Sequence, residues 1–253
     1  SKTHPKSSHD KFKTASKYVQ TRNKFVVFLD IMGFKDRVAR NSAETLYDEL
    51  TEFNKDVTNI INDVQQIKMN ELPEDNSSGN GIIKSETENN GIMLAQFSDS
   101  IVLFSQNDSK DDLLVICKVA AKIIKTAIQR DHPIPLKGAL AEGIITCDMP
   151  KQLFFGQALI DAYLLEENVQ YYGIVVHHTA EQLVLDLNSD LFHNVKVPLK
   201  SGNIEHYEVA WYKGCTDEAK RGLERIRLSV SDSPRKYIDN TKMIINTFIA
   251  NQK

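Results

Sequence analysis

What this chain can fold into is constrained most by one stretch, Lys24-Phe-Val-Val-Phe-Leu-Asp-Ile-Met-Gly-Phe34, in which an apolar run delivers a single carboxylate, Asp30, and then turns on Gly33. The run predicts a buried strand over residues 24–30, with Asp30 presented at its C-terminal end and Gly33 leading into a helix. Buried strands rarely close on an acid and a glycine turn unless something approaches the backbone there, and the N-terminus of a following helix suits a phosphate. A strand that simply surfaces, with a solvated Asp30 and an ordinary turn, would leave the same residues. The rest of the chain has to separate the two.

Composition narrows the field. At 253 residues, 41% hydrophobic and 26% charged, the chain suits one globular domain with room for a sizeable core. A net charge of −3 without a basic cluster argues against nucleic acid or an anionic membrane as the main partner and leaves small molecules. Cys117, Cys147 and Cys215 are widely spaced, odd in number and free of Cys-x-x-Cys pairs, so they read as reduced thiols of a cytoplasmic protein. No run approaches the twenty or so apolar residues of a membrane span, and the N-terminal stretch lacks a signal-type apolar core.

Residues 1–22, rich in Lys, Ser, Thr and His, carry no apolar period and read as a mobile arm ahead of a single domain over 23–253. After the first strand, Leu46, Leu50, Phe53, Val57, Ile60, Ile61, Val64 and Ile67 recur at helical spacing, and Ser42-Ala-Glu-Thr marks either the start of that helix or a bend within it. Residues 69–90 are polar and glycine-bearing, the composition of a flexible insertion. The segment from Gly91 to Gln106 is two apolar runs broken by Ser98-Asp99-Ser100, a hairpin whose turn carries Asp99. A helix over 109–130 and a strand over 136–146 follow. Then come a helix over 157–168 after Gly156, a short strand over 173–177, a helix capped by Thr179 and running through Leu187, and a strand over 205–212. Helices over 216–229 and 234–250 close the chain, with Pro234 suited to a first helical turn.

The order to residue 146 is the β-α-β-β-α-β arrangement of a ferredoxin-like core, α+β in class, with a C-terminal strand and helices added. In that topology the first strand and the hairpin turn can meet at one end of the sheet, which would make Asp30 and Asp99 neighbours. Two such aspartates can hold a pair of divalent ions about 4 Å apart that stabilise the attacking and leaving oxygens of an in-line phosphoryl displacement. Magnesium suits hard carboxylate and polyphosphate ligands. Other chemistries lack their residues: His177-His178 has no partners at zinc spacing, no Gly-x-Ser-x-Gly elbow surrounds Ser98 or Ser100, and no Walker loop occurs.

Phe28-Leu-Asp-Ile-Met-Gly-Phe34 resembles the first metal-binding motif of class III nucleotidyl cyclases, and Phe97-Ser-Asp-Ser-Ile-Val-Leu-Phe104 resembles the second. Leu136-Lys-Gly-Ala-Leu-Ala-Glu-Gly143 is similar to the strand carrying a phosphate-contacting basic residue, here Lys137. Phe155-Gly-Gln-Ala-Leu-Ile-Asp-Ala-Tyr-Leu-Leu-Glu166 is similar to the glycine-then-helix element, and the segment from Val197 to Val209 to the late hairpin with a triphosphate lysine, here Lys200. The resemblance, spanning about residues 24–212, implies metal ligands Asp30, Ile31 and Asp99 for two Mg2+ or Mn2+ ions per site. It also implies substrate contacts at Gly33, Phe34, Lys137 and Lys200, and a homodimer whose sites are shared, with Lys200 reaching across.

Departures refine this. Where the family reads adenine with a Lys and an Asp, this chain has Ala95 and Leu153; where a partner-chain Asn and Arg steady the transition state, it has Ile160 and Leu164. The branch it most resembles is the stand-alone bacterial pyrimidine cyclases of the Pycsar antiphage systems, which make cyclic UMP or cyclic CMP for a separate effector. Tyr47 is then a candidate for stacking on the base, and Arg37 and Arg40 are candidates for reaching phosphates or remaining solvated helix charges. The competing expectations are an adenylate or guanylate cyclase and a non-catalytic, nucleotide-sensing domain of the same fold.

Overall fold

The computed structural model describes residues 19–70 and 91–252. Its central element is strand β1 (Val19–Ile31), whose side chains alternate between two cores from Phe25 to Leu29. Phe25, Val27, Leu29 and Ile31 enter the main core, while Val26 and Phe28 point to a smaller one on the opposite face. Consecutive strand residues face opposite ways, so an unbroken apolar run requires cover on both sides.

A short helix α1 (Phe34–Arg40) follows the Gly33 turn, and α2 (Ala43–Asn70) begins where Ser42 Oγ accepts from the Thr45 N–H at 3.2 Å. That makes Ser42 a helix start, as one of the two readings of this segment had it. Phe53, Val57, Ile60 and Ile61 bury the inner stripe of α2 against α3 (Lys110–Gln129), which is capped by Ser109. Between them lies the hairpin of β2 (Met93–Phe97) and β3 (Ser100–Phe104), joined by Ser98-Asp99 alone.

Then come β4 (Leu136–Asp148), β5 (Leu153–Gly156), α4 (Gln157–Glu166), β6 (Ile174–Val176) and α5 (His178–Leu187). The chain ends with the β7 (Phe192–Leu199) and β8 (Gly202–Val209) hairpin and helices α6 (Thr216–Ser229) and α7 (Ser233–Asn251). Among the described residues the strands form one sheet ordered β2-β3-β1-β4-β6-β8-β7, with β5 paired to β4. The β2-β3-β1-β4 portion, with β1 antiparallel to both neighbours, is the expected ferredoxin-like core. Helix α4 covers the small core through Ala158 and Ala162.

Several expectations need correcting. Of the arm read over residues 1–22, residues 1–18 lie outside the described residues, whereas Val19–Arg22 already ladder with Asp148–Ile145 of β4. Of the insertion read over 69–90, residues 71–90 lie outside, and residues 69–70 complete α2. Helix α5 is capped by His177, whose Nδ1 accepts from the Thr179 N–H; Thr179 Oγ1 instead accepts from the Glu142 N–H at 2.9 Å. Trp211 and Tyr212 fall in the turn after β8, and both are buried there, Trp211 donating from Nε1 to the Tyr172 carbonyl at 3.0 Å. Cys117, Cys147 and Cys215 are buried free thiols.

Candidate active site

Asp30 sits one residue from the end of β1, opposite Ser100 of β3 and opposite Lys137 of β4. The Ile31 N–H donates to the Asp99 carbonyl at 2.8 Å, tying the β2–β3 turn to the end of β1. Asp30 and Asp99 are therefore neighbours at one end of the sheet. The two-residue turn fixes this: Ser98 takes a positive φ of 55°, and Asp99 follows at the tip. Gly33, at φ +73°, supplies the left-handed residue between β1 and α1, a conformation that costs glycine nothing. Phe34 packs, half-buried, on the main core.

Lys137 is placed beside Asp30 but is not free. Its Nζ pairs with Glu166 Oε1 at 2.9 Å and donates to the Glu166 carbonyl at 3.0 Å, both side chains being buried. Glu166 was not anticipated from the sequence. A signal existed: Ala158, Ala162 and Glu166 follow at four-residue steps on the buried face of α4, whereas Glu167 is exposed.

The electrostatics follow from this crowding. Burial, then the Glu166 charge, then that of Asp99, push the Asp30 carboxyl up to about 7, against the opposing pull of Lys137. Burial also raises Glu166, opposed chiefly by Lys137 and to a smaller extent by Lys200. Lys200 lies exposed in the β7–β8 turn, and its N–H donates to the Asn168 carbonyl at 2.8 Å, just past α4. Tyr163, also on α4, sets its ring edge-on to Phe28 at 5.4 Å, two residues before Asp30.

The remaining candidates sit apart from this cluster. Tyr47 is 71% exposed on α2 and belongs to none of these ladders. Arg37 pairs with Glu49 at 2.5 Å and donates to the Pro133 carbonyl; Arg40 pairs with Asp36 at 2.7 Å. Arg40 is a solvated helix-surface charge, whereas Arg37 is part-buried and ties α1 to Glu49 of α2 and to the Pro133 carbonyl.

The donor set suits a hard cation. Among the described residues no group of three or more His, Cys, Asp or Glu side chains encloses a metal unaided. Magnesium does not need such a cage, because it binds through one or two carboxylates plus substrate phosphates. Asp30 and Asp99, with the Ile31 carbonyl, offer hard oxygens, and the Asp30 carboxyl, raised by burial first and by the Glu166 and Asp99 charges second, is one whose charged form a bound cation would favour.

No family model matches the chain, and no curated protein does. Solved structures do. The fold is that of nucleotidyl cyclase catalytic domains. The guanylyl cyclase domain of the RhoGC fusion protein from the aquatic fungus Blastocladiella emersonii, described as dimeric, superposes with a TM-score of 0.54 at 12% identity, covering 76% of this chain and 98% of that one. The catalytic core of a rhodopsin-guanylyl cyclase with converted specificity, in complex with ATPαS, gives 0.52 at 14% over the same shares. The guanylate cyclase domain of RhGC from Catenaria anguillulae, in complex with GTP, gives 0.51 at 13%, again over 76% and 98%. At these identities the likeness is one of fold. No helix among the described residues is long and apolar enough to cross a membrane.

Proposed function

We propose that the chain is a metal-dependent pyrimidine nucleotide cyclase that converts UTP, or CTP, to its 3′,5′-cyclic monophosphate and pyrophosphate. The observation that carries this is the meeting of Asp30 and Asp99, tied by the Ile31–Asp99 hydrogen bond. Asp30, Asp99 and the Ile31 carbonyl would hold two Mg2+ or Mn2+ ions, which when bound would activate the ribose 3′-hydroxyl and screen the α-phosphate. The 3′-hydroxyl gives up its proton to solvent as its oxygen bonds to the α-phosphorus, the bond from that phosphorus to the oxygen bridging to the β-phosphate breaks, and pyrophosphate leaves. Lys200 balances charge on that leaving group, and Lys137, held by Glu166, keeps a positive charge beside Asp30.

The pyrimidine preference draws on what the chain does not offer a purine. Ala95 packs into the small core and Leu153 is an exposed apolar residue of β5, so neither provides the polar contact that reads adenine in the cyclases this chain resembles. The matching solved domains are named for guanylyl activity or hold ATPαS or GTP, and a purine substrate is the second reading. A homodimer is favoured by exposed Ile160, Tyr163 and Leu164 on α4 and Ile144, Leu153 and Phe155 on the β4–β5 arm, apolar surface of the kind that marks a protein interface. The cyclic product would serve a separate cyclic-nucleotide-responsive effector in bacterial antiphage defence, as in the branch the motifs resemble.

The test is a nucleotide panel. Incubated with UTP, CTP, ATP or GTP and Mg2+ or Mn2+, the protein should release a cyclic pyrimidine nucleotide, identified by mass spectrometry. Asp30→Ala or Asp99→Ala should each lower turnover at least about a hundredfold while leaving the circular dichroism spectrum unchanged. A cyclic purine product would move the assignment to the second reading. Nucleotide binding without any product would make the domain a sensor, and full activity in either aspartate variant would remove the mechanism.

A further inference from the structure

Four residues stand in one row across the end of the sheet. Phe97 of β2 pairs with Ser100 of β3, Ser100 with Asp30 of β1, and Asp30 with Lys137 of β4. Residues paired across neighbouring strands point to the same face. Here it is the face of the small core, because Ala95, Val102 and Phe28, two residues along β2, β3 and β1, all enter that core. Cover falls away along the row: α4 lies over β1 and β4, Lys137 is buried, Asp30 and Ser100 are half-buried, and Phe97 is 85% exposed. A lone exposed hydrophobe means little by itself. This one is an aromatic ring on the face that carries Asp30, two strands away from it and two residues ahead of Asp99.

We propose that Phe97 is the platform on which the base of the nucleotide stacks. This rests on the cyclase reading above and names the residue that holds the other end of the same substrate. Two strand spacings, about 10 Å, separate Phe97 from Asp30, which matches the reach from a metal-bound phosphate to the base of one nucleotide. A phenyl ring offers nothing to a phosphate, whereas the flat face of a base gains from stacking on it. Ala95, next to Phe97 on the same face of β2, ends in a methyl group, so this strand grips the face of the base and leaves its polar edge unread. Tyr47, a stacking candidate by sequence, is carried by α2, whose inner stripe of Phe53, Val57, Ile60 and Ile61 packs into the main core on the other side of the sheet.

Two ligands separate a base contact from any other role of this hairpin: α,β-methylene UTP, which cannot cyclise, and inorganic tripolyphosphate, which has no base. With Mn2+ present, Phe97→Ala should bind the analogue about tenfold or more weakly than wild type and tripolyphosphate within about twofold, while Phe97→Tyr, which keeps the ring, should hold the analogue within about threefold. Because Phe97 is exposed, the circular dichroism spectrum of both variants should match that of wild type. Unchanged analogue affinity in Phe97→Ala overturns the proposal. Equal weakening of both ligands does so too, since Phe97 would then support the turn, or a contact between two copies, instead of the base. A wild-type protein that takes tripolyphosphate as tightly as the analogue also overturns it, because no contact with the base then contributes. Neither ligand needs turnover, so the outcome is decided even if the nucleotide panel yields no cyclic product. Analogue binding that ignores Phe97 leaves the cyclase reading standing and removes this proposal alone, whereas a wild-type protein that binds neither ligand removes both.

Discussion

Lys137 and Glu166 form a buried ion pair, and removing either charge strands the other away from water. Lys137→Met leaves the buried Glu166 carboxylate without the cation that pairs with it, a change that costs about 3 kcal/mol of stability for such pairs, to be read as a lower urea midpoint at unchanged slope. Lys24 offers an independent titration. Burial lowers its ammonium from 10.5 to about 8, so the fold prefers the neutral form. The sign follows: below about pH 8 the charge is carried in both states and opposes folding, and stability should rise as pH climbs from about 8 towards 10.5. Denaturation midpoints of wild type should therefore gain on those of Lys24→Met across that window, and a flat difference would contradict it. At this scale the acids of the site were unevenly legible. Asp30 and Asp99 were readable because each interrupts an apolar run at a turn, where a charge is conspicuous. Glu166 ends an apolar helix beside a second glutamate, and only the register of Ala158 and Ala162 tells which of the two is buried.

Among the elements, the β1–β4 ladder is the tightest constraint on the site. A Cβ at Gly138 would lie 2.4 Å from the Phe28 carbonyl oxygen and 2.6 Å from Leu29 Cδ2. Gly138→Ala should accordingly destabilise the fold by about 1–3 kcal/mol and disturb the register that sets Lys137 against Asp30, lowering both the melting temperature and turnover. Strands facing a core on either side were legible as apolar runs, and the amphipathic helices as three- and four-residue spacing. The beginning of β1 was not: Thr21, Arg22 and Asn23 are polar and largely exposed, held by pairs such as Thr21 Oγ1 to Thr146 Oγ1 at 2.8 Å, so no period marks them as strand. The cap at His177 was missed for a related reason, because Thr179, the better capping residue by type, is engaged with the Glu142 backbone.

For the whole molecule, assembly is the property most open to test. Leu164→Asp would put a charge into half-exposed apolar surface on α4, and the dimer proposed above should dissociate to monomers in sedimentation velocity while secondary structure is retained. The length of β1 bears on the site from another direction. All thirteen of its residues are paired with β4, from Val19 opposite Asp148 to Ile31 opposite Leu136. At about 3.3 Å per residue this is a strut of roughly 40 Å without a joint. A tether fastened ahead of Val19 would push or pull along that strut, and the displacement would arrive at Asp30 without passing through any loop.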